Sequence, residues 1–276
     1  MANQPSKCTR PILRYHGGKW KLAPRIIAHF PTHRIYVEAF GGAASILMRK
    51  HRVYCEVYND LDGELVNLFR VLRERGDELA RALELTPFAR EEFDVSYEPS
   101  EDPLEQARRT VVRSYQGFGS NAHVKTTGFR SNANRSGTTP AHDWRNYPAS
   151  IAATIDRLRG VILENKDAMK VMLANDGPNT LHYVDPPYVH STRQKDAATS
   201  KQGYRFEMTD AQHRALAKGL EQLEGAVILS GYHSALYDEL YGHWRRVEIR
   251  AMADGAKPRL EVLWMRNVKN EEFKFD

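Results

Sequence analysis

The chain reads as an α/β protein on a doubly wound, mixed sheet of roughly seven strands, interrupted by one large insertion. Three observations predict this. Short apolar runs alternate with amphipathic stretches at the start of the 276-residue chain and again over its second half. Between these regions Gly117 to Pro148 is rich in Gly, Ser, Asn, Thr and Arg, too long and too polar for a connection inside a compact sheet. Two further strand-like runs, "WRRVEIRA" and "RLEVLWMRN", close the chain as an antiparallel pair.

The elements follow in order. "RIYVEAFGG" (34–42) is a short buried strand ending in a glycine turn, and "AASILMRK" after it has a helical pattern. "VYCEVYND" (53–60) is a second strand. Leu61, Leu65, Leu68 and Leu72 then recur at helical spacing, with Gly76 as the stop. Asp102-Pro103-Leu104-Glu105 opens a helix toward Ser114, with a capping Asp and Pro at the first helical position. Alternation resumes with "GVILEN" (160–165), a helix from about Ala168, and "LHYVD" (181–185). Thr209 and Gln212 cap a helix striped by Leu216, Leu220 and Leu223, and "AVILSG" (226–231) is a fifth apolar strand. No internal repeat is found.

Composition narrows the function. A 41% hydrophobic and 27% charged chain is neither disordered nor fibrous, and no apolar run is long enough to span a bilayer. The N-terminus lacks the uninterrupted apolar stretch of a secretory signal, so a cytoplasmic location is expected. Cys8 and Cys55 have neither the spacing nor the His partners of a zinc site, and no disulfide framework is expected. The net charge of +5 is unevenly spread: residues 106–160 hold nine basic side chains against two acidic ones. Such a block suits either a solvated face or a polyanionic partner.

The most specific signal is "LHYVDPPYVHS" (181–191). Ligands of open α/β sheets bind beyond the carboxyl ends of the strands, which places Asp185 on that rim. Two prolines cannot continue a ladder, and they fix a stiff, extended corner that leaves the Pro186 carbonyl without an intrachain donor. A carboxylate oxygen and a carbonyl side by side form a two-acceptor cradle for an exocyclic NH₂. Both N–H bonds held there would aim the nitrogen lone pair at an electrophile. Tyr188 offers a face on which an extruded flat base can stack.

These residues resemble a known family. "VDPPY" matches the catalytic motif of amino-group methyltransferases that use S-adenosylmethionine, and the surrounding motifs are similar to Dam-type DNA adenine-N6 methyltransferases, particularly phage-borne ones. "RYHGGKWKLAPRI" resembles that family's N-terminal W-A-G-G-K motif, with Tyr15 in place of Trp. "YVEAFGGAAS" resembles its strand-1 motif, with Ala43 and Ala44 where a third glycine is common. "VYNDLDGELVNLFRVLR" resembles its acidic strand-2 motif, and "NKDAM" its adenine-contacting segment. "MTDAQHRALAKGL" and "VILSGYHSALYDELY" resemble downstream segments. The resemblance covers about 10–76 and 158–267.

It implies a Rossmann-like S-adenosylmethionine-dependent methyltransferase fold, with a catalytic domain at 1–69 and 158–276 and an inserted target-recognition domain at 70–157. Asp185, Pro186, Pro187 and Tyr188 would be catalytic. Tyr15, Lys19, Glu38, Phe40, Gly41, Gly42, Asp60, Asp167 and Asp185 would surround the cofactor. Gly41 and Gly42 let backbone approach it, and Asp60 can accept from ribose hydroxyls. Lys19 would pair with its carboxylate and Asp167 with its adenine amine. Asp62 stands where such enzymes keep Asn and is left out of the site. The product would be S-adenosylhomocysteine, and the chemistry requires no metal.

The insertion would read double-stranded DNA. Lys125, Arg130, Asn132, Asn134, Arg135 and Arg193 are the expected contacts, those around "GFRSNANRSG" presented on a hairpin closed by Gly128 and Gly137. The segment from Val189 to Phe206 is expected as a flap over the flipped base. Palindromic DNA would allow a homodimer, which no residue pattern specifies. Cytosine N4, an RNA base or a glutamine side chain would also fit the cradle. A non-catalytic DNA-binding relative is a separate alternative. A nucleotide-dependent oxidoreductase shares the layout, but its G-x-G-x-x-G is missing.

Overall fold

The computed structural model describes residues 6–122, 126–131, 137–192, 204–251 and 259–268. Each strand-like run of the sequence forms a strand: β1 (Ile35–Glu38), β2 (Cys55–Asn59), β3 (Val161–Glu164), β4 (Thr180–Val184), β5 (Ala226–Gly231), β6 (Arg245–Ala251) and β7 (Arg259–Arg266). They make one seven-stranded sheet in the order β3-β2-β1-β4-β5-β7-β6. The first five strands pair in parallel, and β7 lies antiparallel between β5 and β6. The mixed sheet expected from the sequence is thus the one found.

The helices are α1 (Ala23–Ile27), α2 (Ser45–Arg49), α3 (Gly63–Glu74), α4 (Gly76–Leu85), α5 (Arg90–Val95), α6 (Pro103–Gln116), α7 (Pro140–Arg145) and α8 (Ile151–Leu158), then α9 (Ala168–Ala174), α10 (Asp210–Leu220) and α11 (Ala235–Tyr241). None of the described helices is long and apolar enough to cross a membrane. Thr209 and Gln212 form the full reciprocal capping box of α10. Asp102 caps α6 as expected, whereas Glu105 turns to Arg108 and Arg109.

Two expectations shift. Leu61 precedes the cap of α3, at Asp62, and is exposed. Gly76 opens α4 instead of merely ending α3. A Cβ there would meet Ile155 Cδ1 at 2.5 Å, so the glycine lets the Ile155 side chain of α8 pack closely against this turn.

Period-two alternation divides the strands between two cores. Tyr36, Tyr58, Leu181, Tyr183, Ile228 and Leu263 face one layer, and Val37, Val57, Val227, Leu229, Val262 and Trp264 face the other. Described helices of the 70–157 segment join the first layer through Leu79, Val111, Tyr115, Trp144 and Ile151. Arg157 on α8 adds a buried ion pair to Glu56 on β2 at 2.6 Å, and Lys50 meets the same carboxylate at 2.7 Å. This part of the segment shares the core of the sheet.

From β1 the chain builds β2 and β3 on one side, then returns to lay β4 on the other flank of β1. That reversal opens a crevice beyond the carboxyl ends of β1 and β4. Glu38 and Asp185 stand at its two edges.

Candidate active site

The crevice holds a cavity of about 320 Å³. Of the expected cofactor residues, Tyr15, Lys19, Glu38, Phe40, Gly41, Gly42, Asp60, Asp167 and Asp185 all line it, brought there from five separate stretches of chain. Tyr204 to Met208 also line it, the first three being the last residues of the expected flap, of which 193–203 lie outside the described residues.

Fully buried β4 delivers Asp185 to the rim. Tyr183 can donate to Ser230, whose hydroxyl donates to Asp185 Oδ1, both at 2.9 Å. Lys19, 4% exposed, lies 2.9 Å from Asp185 Oδ2 and 3.0 Å from Oδ1. The Lys19 ammonium also donates to the Gly17 carbonyl at 3.0 Å and to the Tyr188 hydroxyl. Its donors are therefore engaged, and the expected bond to a cofactor carboxylate requires one of these contacts to be given up. Burial works against the charge of Lys19, but Asp185 and Glu261 together raise its pKa above that of an ordinary lysine. Among the described residues no donor reaches the Pro186 carbonyl.

Tyr188 is 6% exposed and is not among the residues that line the cavity. Its hydroxyl donates to Glu261 Oε1 at 2.7 Å. Lys19 Nζ sits at this hydroxyl end, 4.8 Å from the ring centroid, while Tyr232 packs against the ring with centroids 4.5 Å apart.

The glycine turn is shaped by its neighbours. A Cβ on Gly41 would lie 2.1 Å from the Tyr58 ring, and Gly42 has a left-handed φ of +50° with Tyr15 against it. Asp60 accepts from the Gly42 and Asp62 amides at 2.7 and 2.8 Å, bracing this turn, and burial still pushes its pKa up to about 6. Asp167 caps α9 through the Lys170 amide at 3.1 Å while lining the cavity.

Glu38 accepts from Tyr36 at 2.7 Å and from the Leu47 amide at 2.8 Å. Burial nonetheless raises its pKa to about 8. The fold thus resists its ionisation, and stability from this group is full below its ordinary value of 4.5 and lost as pH rises through about 8. Glu38→Gln is expected to flatten that decline, read as urea midpoints across this range. An unchanged slope would show that Glu38 ionises freely in the fold.

Sequence reasoning missed several residues here. Asp62, set aside, is buried at the cavity and pairs with Arg205 at 3.0 Å, and Arg205 also reaches Glu64 at 3.2 Å. Ser230, Tyr232 and Glu261 meet Asp185, Tyr188 and Lys19 only through the fold. The available signal for Glu261 was its alternation with Leu263 and Met265, a carboxylate on the core face of an apolar strand.

The model of the D12 class of N6 adenine-specific DNA methyltransferases matches residues 15–254. The chain belongs to this family. As a member it is an adenine-specific DNA methyltransferase, an enzyme class whose methyl donor is S-adenosylmethionine. It is similar to a DNA adenine methylase of Haemophilus influenzae, at 24% identity over 94% of this chain and 93% of that protein. The type II methyltransferase M1.LlaDCHI of Lactococcus lactis is 26% identical over 90% of each chain. A DNA adenine methylase of Serratia marcescens is 31% identical over 34% of this chain and 38% of its own length.

The DNA side of the enzyme departs from its sequence reading. Four arginines of the basic block, Arg108, Arg109, Arg113 and Arg157, pair with acids outside its window. Arg108 pairs with Glu92 and Glu105 at 2.7 and 2.6 Å, Arg109 with Glu105 at 2.7 Å, and Arg113 with Glu64 at 2.6 Å. A single antiparallel bridge joins Gly117 to Phe129, and the expected hairpin between Gly128 and Gly137 lies mostly outside the described residues. The Arg130 side chain, 10% exposed, turns inward to the Tyr115 carbonyl at 2.9 Å and toward Asp143. As placed, Arg130 does not present its guanidinium to a base edge. Lys125, Asn132, Asn134, Arg135 and Arg193 lie outside the described residues.

Proposed function

We propose that the cavity binds S-adenosylmethionine and that the enzyme methylates N6 of an adenine flipped out of a specific site in double-stranded DNA. The observation carrying this reading is that Asp185 and Pro187 of the D-P-P-Y corner line the cavity, while no described donor satisfies the Pro186 carbonyl between them. The cavity chemistry suits this ligand. Asp60, Asp62, Asp167, Asp185 and Glu207 outnumber Lys19, Lys166 and Arg205 in its lining, which favours a cationic ligand with hydroxyl and amine donors. Tyr15, Phe40 and Met169 supply flat and apolar walls for an adenine ring.

When bound, the cofactor supplies an electrophilic methyl on a cationic sulfur, so the displacement needs no metal. Asp185 and the Pro186 carbonyl would each accept one N–H of the target amine and turn its lone pair into the cavity. The amine becomes acidic only as it gains the methyl, so Asp185 need not remove a proton first. Tyr188 would carry the extruded base. Residues 70–157 would form the recognition module on the catalytic body of 1–69 and 158–276, with Lys125, Asn132, Asn134, Arg135 and Arg193 toward the duplex. The enzyme would work where its DNA is, in the cytoplasm, and a palindromic site would admit a homodimer.

The test is nucleoside analysis of unmethylated duplex DNA treated with the enzyme and methyl-labelled cofactor. N6-methyladenine is expected. Label in N4-methylcytosine, in RNA alone or in protein would overturn the reading. Single-molecule sequencing of the same DNA would report the surrounding sequence.

A further inference from the structure

In the arrangement described, both Asp185 oxygens are already in use. Oδ1 accepts from Ser230 at 2.9 Å, and Lys19 Nζ lies 3.0 Å from it and 2.9 Å from Oδ2. A carboxylate that must accept an amine N–H has to loosen its hold on the lysine. A buried ammonium released in this way needs another anion, because an unpaired charge in the interior costs several kcal/mol. One stands ready: Glu261 Oε1 lies 3.6 Å from Lys19 Nζ.

Glu261 is also joined to Lys19 through a second route. Lys19 donates to the Tyr188 hydroxyl, and that hydroxyl donates its own hydrogen to Glu261 at 2.7 Å. The phenol is therefore fixed at both ends. Glu261 reaches this rim because β7 is antiparallel: its early residues lie beside the end of β5, with Val262 opposite Gly231. Glu261 is 2% exposed, among the side chains of the core. A carboxylate so placed is costly unless it is paired, and Lys19 and Tyr188 are the partners the fold gives it.

We propose that Glu261 is a positioning residue that takes over Lys19 when Asp185 accepts the substrate amine, keeping the Tyr188 ring in place as it does so. This rests on the functional reading above. Glu261 touches no reacting atom; it acts through Lys19 and Tyr188.

Two measurements test it. The first is independent of methyl transfer: a crystal structure of Asp185→Asn, a same-size change that removes the charge competing for Lys19. The ammonium is expected to close from 3.6 Å to ordinary ion-pair distance from Glu261. Lys19 remaining on the substituted side chain, or swinging into the cavity, would overturn the proposal even if the enzyme methylates adenine.

The second is a double-mutant cycle in single-turnover methyl transfer to mixed-sequence unmethylated duplex DNA. Glu261→Gln is expected to slow transfer about ten- to a hundred-fold while S-adenosylmethionine affinity changes little. Added to Lys19→Met, it should cost almost nothing further, because its main partner is already gone. An undiminished rate in Glu261→Gln, or losses that multiply in the double variant, would refute it. If the wild type modifies no adenine, the functional reading fails, and the crystal structure alone decides the transfer of Lys19.

Discussion

Asp185→Ala is expected to abolish detectable methyl transfer to duplex DNA, a loss at or beyond the roughly hundred- to thousand-fold that removing one transition-state hydrogen-bond partner costs. The carboxylate is one of two acceptors that would hold the amine, and the Pro186 carbonyl alone fixes only one N–H. Cofactor affinity should fall only in part, since Glu38, Asp60 and Asp167 remain in the lining. The measurement is incorporation of labelled methyl beside calorimetric titration with S-adenosylmethionine. Full turnover by this variant would end the proposed mechanism. A complete loss of cofactor binding would move Asp185 from the chemistry to the binding of the cofactor.

The second large effect concerns stability. Lys19→Ala removes the buried cation shared by Asp185 and Glu261, at 2.9 and 3.6 Å, and leaves two carboxylates without their common partner. Breaking a buried pair from one side typically costs about 3–5 kcal/mol, far more than truncating a surface lysine. Burial already raises the Glu261 pKa, and losing Lys19 should raise it further. With a raised carboxyl the sign is fixed: stability from the group is present at low pH and is lost as pH rises through the folded value. The variant should therefore recover part of its deficit on acidification, read from denaturation midpoints at several pH values. A deficit below about 1 kcal/mol, or one that grows in acid, would mean that the carboxylates do not depend on this lysine.

The strands were legible because period-two alternation and short apolar runs are local signals. "AVILSG" and "LHYVD" announced β5 and β4 without knowledge of their neighbours. The cavity lining was equally legible, because the motifs carrying it, from Tyr15 through Asp185, sit at turns just beyond strand ends, where local chemistry and position coincide. The partners of the basic block were not legible because they lie elsewhere in the chain: Glu56, Glu64 and Glu92 reach Arg157, Arg113 and Arg108 only after folding. The inward contacts of Arg130 were hidden for the same reason. Its carbonyl partner belongs to Tyr115, on a helix that ends well before it in sequence.

By itself the sequence determined the sheet, the carboxylate-and-proline corner, and the residues gathered around one cavity, since each is written in a contiguous stretch of chain. Only the tertiary structure decided what holds that corner. Ser230 arrives from β5 and Glu261 from an antiparallel last strand, so that β7 begins where the parallel strands end. Charge pairing in a buried site depends on distances of a few ångströms between segments far apart in the chain, and neither composition nor periodicity carries those distances.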